Sequence, residues 1–236
     1  MVLVSETLSY GAQAIQQTAA FSSRAVDSTG PHNDIVRVAL AIIECTNLCV
    51  QQACCVTLYA TLKLMNDAFA AVGWTTRTYE LLSGKALMGT PIYVEGEALP
   101  NPIMFASRAS YFVSDLGAVT QFACAMDWLD LGKVASSAGK LPYFGAHLEY
   151  AVNNIPLVRL TFGLIGNIFN ALDCIRVMIV QGVGRNELFR LSMVVVKIAS
   201  TIFLSFSVTW IRFVGHMCNG ASAAIALVDL ATRRDP

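Results

Sequence analysis

Residues 157–211 read LVRLTFGLIGNIFNALDCIRVMIVQGVGRNELFRLSMVVVKIASTIFLSFSVTWI, and this stretch decides the fold. It divides into two apolar lobes, residues 157–183 and 191–211. Gly184-Arg-Asn-Glu-Leu-Phe-Arg190 between them is short enough to join two antiparallel helices. At 1.5 Å per residue the second lobe reaches about 31 Å, close to the thickness of a bilayer's hydrocarbon core. Its eleven Leu, Ile, Val and Phe residues are together worth about −3 to −7 kcal/mol towards insertion. Lys197, opposing at about +3 kcal/mol if central, stands near enough to the lobe's start to snorkel. The balance is marginally favourable.

The first lobe is more polar. Asp173 and Arg176 stand three apart and can pair on one helix face, with Asn167 and Asn170 near the same side. Facing lipid these groups would cost more than the lobe's aliphatic residues return, so they must be satisfied by packing, with the second lobe the expected partner. Gly163, Asn167 and Ala171, each four apart, form a small-residue seam of the kind that lets helices approach closely in a bilayer. Gly220 and Ala224 repeat that spacing in a third apolar run, residues 213–231, which precedes Arg233-Arg234.

The composition of the whole chain agrees with this tail. Hydrophobic residues make up 55% and charged residues 14% of 236, against about 25% charged in an ordinary soluble domain. Mean hydropathy is +0.56. So little charge leaves little with which to coat a soluble surface. The net charge is zero, with no block of like charge, which argues against a nucleic-acid partner.

Upstream, residues 1–30 are rich in Ser, Thr, Gln and Ala up to Gly30-Pro31, and read as a flexible segment. They lack the basic start and unbroken apolar run of a cleavable signal peptide; their composition also suits a leader read by a specialised bacterial secretion system. Asn33 or Asp34 offers an N-cap to a long helix running to about Phe69. It is apolar on nearly every face, with one polar stripe of Glu44, Asn47 and Gln51. Gly73-Trp74 interrupts the pattern, and residues 76–87 form a further helix. Residues 89–102, with three prolines and two glycines, exclude a helix and read as a small hairpin or loop. Residues 103–126 give an amphipathic helix within a helical segment extending to 154. The expected organisation is therefore 1–30, 31–88, 89–102, 103–154 and 155–236: an all-α, multi-helix bundle ending in a hydrophobic helical hairpin.

No constellation of residues supports catalysis. The seven cysteines are odd in number and lie in apolar runs, so no disulfide framework is apparent. Cys45 and Cys49 share a helical face, but no His, Asp or second cysteine pair stands at zinc spacing beside them. His216-Met-Cys218 is isolated. Asp127 and Asp130 flank Trp128 as an exposed helix end would. Gly182-Val-Gly184 has neither the third glycine nor the preceding strand of a phosphate-cradling loop. No catalytic residue, metal or cofactor is expected.

Two families are similar in pattern. The lobes around Gly184–Arg190 resemble the bilobed hydrophobic hairpin of chlamydial inclusion membrane proteins. Pro102-Ile-Met-Phe-Ala-Ser-Arg-Ala-Ser-Tyr-Phe-Val-Ser-Asp115, continuing to Asp130-Leu-Gly-Lys133, looks like uncharacterised helical proteins of the same bacteria. That resemblance implies residence in a host-derived vacuole membrane, with both tails in the host cytosol recruiting partners. The run Gly215–Leu230 after amphipathic helices resembles peroxisomal membrane-elongation proteins, which implies a membrane-shaping role.

The expectation is an integral or tightly associated membrane protein without catalytic activity. It would organise a membrane or recruit a protein partner through residues 31–150, with the bilayer as its main partner and self-association as a further one. Two other classes compete with it. One is a soluble all-α interaction protein that oligomerises through these helices. The other is an enzyme or transporter using Asp173, Arg176 and Lys197 as intramembrane charges.

Overall fold

The computed structural model describes residues 31–51, 53, 55–88, 92–94 and 97–232. The N-terminal segment 1–30, the Gly89-Thr-Pro91 stretch, Glu95-Gly96 and Arg233-Arg234 lie outside the described residues. The fold is all-α, with six long helices among the described residues: α1 (residues 31–50), α2 (Val56–Leu82), α4 (Pro102–Ala125), α7 (Ile155–Gln181), α8 (Arg185–Leu204) and α9 (Thr209–Thr232). Short helices α3 (Lys85–Met88), α5 (Leu131–Ala138) and α6 (Gly145–Asn153) lie in the connections. Two three-residue strands, β1 (Ile92–Val94) and β2 (Glu97–Leu99), pair antiparallel with Tyr93 opposite Ala98.

Local chemistry sets several of the boundaries. Asn101 caps α4 by accepting from the Met104 amide, with Pro102 in the first turn. Asp130 caps α5, accepting from the Gly132 and Lys133 amides. Gly182, at φ 90, ends α7.

The helix expected to run from Asn33 to Phe69 is in fact two. The chain breaks after residue 50, where Gln51 and Cys55 adopt left-handed φ of 53 and 54. No glycine or proline marks this break, and each such residue costs about 1–2 kcal/mol. Tertiary contact offsets that cost: the turn brings the Tyr59 hydroxyl of α2 back to donate to the Glu44 carboxylate of α1. Gly73-Trp74, expected to interrupt a helix, lies within α2. There the Trp74 ring stacks on Phe112 of α4 at 5.5 Å.

Side-chain bonds give the order of the six helices. Trp74–Phe112 joins α2 to α4. Asn101–Asp173 (2.9 Å) and Tyr111–Asn167 (2.6 Å) join α4 to α7. Arg190–Asn170 (2.6 Å) joins α8 to α7, and the Ser200 hydroxyl donates to the Gly215 carbonyl (2.9 Å) between α8 and α9. Arg37 of α1 donates to Asn219 and Ser222 of α9, at 2.7 and 2.9 Å. Tyr59–Glu44 then returns from α1 to α2. The result is a closed ring of six helices, each antiparallel to its neighbours.

The interior of this ring inverts the usual distribution. Among the described residues the largest fully buried side chains are Val194, Asn101, Asp173, Cys174, Ser107 and Ser222. No Leu, Ile, Phe, Met, Tyr or Trp joins them. Large apolar side chains instead stand on the outside of every long helix, among them Ile42, Leu58, Leu116, Ile179, Val195 and Trp210. Of the charged residues on these six helices only Lys63, Arg185 and Arg212 are exposed, each within the first eight residues of its helix.

The tail also departs from the expected two-lobe hairpin. Among the described residues two helices are long and apolar enough to cross a membrane, α7 and α9, and only 22% of the most apolar window of each is buried. The second lobe, residues 191–211, is not one helix: α8 ends at Leu204, and α9 begins at Thr209 and takes up the lobe's end. The apolar tail is thus three consecutive helices, one for each apolar run, with the second boundary at residues 205–208 rather than at Arg212.

Candidate functional site

The charged residues inside the ring form two clusters. The first surrounds Asp173, which is fully buried on α7. Its Oδ1 accepts from Asn101 at 2.9 Å and from Arg176 at 2.8 Å, and its Oδ2 lies 3.3 Å from Arg190 of α8. A buried carboxylate is tolerated only when paired and hydrogen-bonded, and here two guanidinium groups and an amide converge on one.

The second cluster surrounds a cavity of about 310 Å³ bordered by α1, α2, α4, α7 and α8. Four cations line it: Arg37, Arg77, Arg159 and Lys197. Three of them have an acidic partner. Arg37 pairs with Asp34 at 3.1 Å, Arg159 with Asp67 at 3.2 Å, and Arg77 with Asp115. Arg159 also bonds Gln121. Among the described residues Lys197 has no ion pair. Three buried atoms of the lining residues have no hydrogen-bond partner among the described residues: Arg77 Nε, Asn33 Oδ1 and, apart from its ion pair with Arg77, Asp115 Oδ2. Phe69, Ala70 and Gly73, successive on one face of α2, give it an apolar wall. A larger space of about 470 Å³ lies between α1, α7, α8 and α9 near the Asp34 end, with Ile225, Leu227 and Met193 prominent in its lining.

The residues singled out from sequence divide between these sites and the packing. Asp173 and Arg176 pair as their spacing predicts. Asn167, with Asp173, faces mainly α4 rather than α8, which corrects the expectation that the second lobe satisfies them; Arg190 is α8's share. Gly163 lies opposite Ser114 of α4, and Ala171 is half-buried beside the same seam. Lys197 borders the inner cavity instead of snorkelling outward. Gly220 packs on Ala41 of α1. Ala224 is exposed, and the buried small residues of α9 are Gly215, Ser222 and Ala223, a correction to the expected Gly220–Ala224 seam.

Arg37, Asp67, Arg77, Asp115 and Arg159 were not anticipated. The available signal was a lone charge in the middle of an apolar helical run, a position that only an interior partner makes affordable. Among the cysteines, the Cys45 thiol donates to the Phe213 carbonyl at 3.8 Å, while Cys49 is exposed. No group of three or more potential metal ligands occurs among the described residues. Asp130 serves as a helix cap with Lys133 beside it at 3.5 Å.

Comparison with family models, with curated proteins and with solved structures finds no match to this chain.

Proposed function

We propose that this chain is a membrane-embedded ring of helices that organises a bilayer or holds a partner at it, without catalysis of its own. The observation that carries this reading is the inverted distribution of polarity. An aspartate and an asparagine are fully buried, while Ile179 is 78% and Trp210 69% exposed on helices of spanning length. In water that outer wall would be a large unsatisfied apolar surface. In lipid it is the favourable arrangement, and the polar groups inside are where a bilayer protein must keep them. Connectivity extends the argument to α8. Short turns join it to α7 and to α9, so two spans running in the same direction carry α8 back across between them. Its 20 residues give about 30 Å, enough for the hydrocarbon core, with Lys197 turned to the interior.

Alkaline carbonate extraction of membranes from cells expressing the full chain tests this directly. Retention in the pellet, with release by detergent, is expected. Release into the aqueous supernatant would leave the soluble oligomeric bundle as the better account. The inclusion-protein resemblance adds a place to the reading, a host-derived vacuole membrane. Immunogold labelling confined to another membrane would remove that part alone.

A further inference from the structure

The ion pairs of the inner cavity do not balance. Taking the four lining cations with Asp34, Asp67 and Asp115, three charges are matched and Lys197 is left over. A lysine inside a helical ring keeps its ammonium charge only when an anion shares the space; otherwise burial favours the neutral amine. The orphan N–H of Arg77 Nε supplies a second donor that can be satisfied only by an acceptor.

From this geometry we propose that the cavity binds one short-chain monocarboxylate. A single negative charge completes the balance, and the two carboxylate oxygens take up the Lys197 ammonium and the Arg77 N–H. The volume of about 310 Å³ is roughly ten times the share of one water molecule in the liquid, more than a halide or formate fills. The apolar face formed by Phe69, Ala70 and Gly73 receives a short hydrocarbon tail. The unpartnered Asn33 Oδ1 of α1, another lining residue, accepts from a hydroxyl or from water carried in with the ligand.

Equilibrium binding of radiolabelled butyrate to the purified full-length protein tests the assignment. It can be run in detergent or in plain buffer, so its outcome is independent of whether the chain resides in a membrane. Saturable binding at one site per chain is expected, displaced by unlabelled butyrate and not by butylamine or chloride. Lys197→Met should weaken it at least tenfold, and Lys197→Arg should restore most of it. The melting temperature of Lys197→Met, equal to or above that of the wild type, separates lost binding from lost folding; if that variant unfolds, Phe69→Trp, which fills the tail space and leaves every charge in place, should weaken binding likewise. Absence of saturable binding to the wild type, unchanged affinity in folded Lys197→Met, or equal displacement by chloride would overturn the proposal.

Discussion

Asn101 and Asp173 meet at 2.9 Å across 72 residues of sequence, and the same asparagine caps α4. Its side-chain oxygen accepts from the Met104 amide while its nitrogen donates to the buried carboxylate of α7. One side chain therefore fixes both where α4 begins and how deep α7 sits against it.

Removal of that carboxylate is expected to be among the most damaging single changes. Asp173→Ala leaves Arg176 and Arg190 without their acid and Asn101 without its acceptor. Breaking one side of a buried ion pair costs about 3–5 kcal/mol, and the partial exposure of Arg190 places the expected loss near the lower end. Asn101→Ser, which keeps a capping oxygen, should cost less than Asn101→Ala by about 1 kcal/mol. A double-mutant cycle between positions 101 and 173, read by denaturant unfolding, should give a coupling of about 1.5–3 kcal/mol, the range for a hydrogen bond to a charged group. Additive effects would mean that the two side chains do not interact.

The α4–α7 interface makes a second prediction from two glycines three residues apart. A Cβ at Gly166 would lie 2.9 Å from the Tyr111 ring, which is pinned by its bond to Asn167. A Cβ at Gly163 would meet only the Ser114 hydroxyl, at 3.5 Å. Gly166→Ala should therefore destabilise by about 1–3 kcal/mol through overpacking. Gly163→Ala should be neutral, or gain up to about 1 kcal/mol from helix propensity. Thermal melts of the two variants side by side decide this, and a reversed order would put a different face of α7 against α4.

These glycines also show how far the sequence was legible. Periodicity along α7 was enough to identify a long apolar helix with a small-residue face, and Asp173–Arg176 follows from i,i+3 geometry alone. Periodicity does not say which helix lies opposite, so Gly163 stood out while the close approach falls at Gly166. The break at Gln51–Cys55 was invisible for a related reason: no residue there is a poor helix former, and the left-handed turn is held by Tyr59 reaching Glu44. The inner charges were least legible. Arg159 and Asp67 pair across 92 residues, and only the closure of the ring brings them together.

The outward apolar surface can be read with the chain's own tryptophans. Trp210 is 69% exposed at the start of α9. Trp74 stacks on Phe112 with its indole nitrogen buried. In single-tryptophan variants reconstituted with brominated phospholipid, fluorescence from Trp210 should be strongly quenched and that from Trp74 nearly unaffected. Equal quenching of both, or of neither, contradicts a lipid-facing outer wall around a shielded interior.

Closure of the ring between its first and last long helices is the feature most exposed to a direct chemical test. Ala41 is buried on α1 at 5% exposure, and a Cβ at Gly220 of α9 would lie 2.9 Å from its Cβ. The neighbouring Arg37 bonds to Asn219 and Ser222 hold the two helices in register. A disulfide needs a Cβ–Cβ separation of about 3.5–4.5 Å, so a relaxation of about an ångström lets Ala41→Cys and Gly220→Cys join. In a background with the native cysteines replaced by serine, mild oxidation should cross-link this pair, as shown by the linked peptides in a digest. Leu204→Cys with Gly215→Cys, across the α8–α9 contact where a Cβ at Gly215 would lie 2.9 Å from Leu204 Cγ, serves as the control for adjacent helices. Cross-linking of the control without the 41–220 pair would show an open row of helices. The inner cavity would then be a groove, because Arg37 would no longer be held across it.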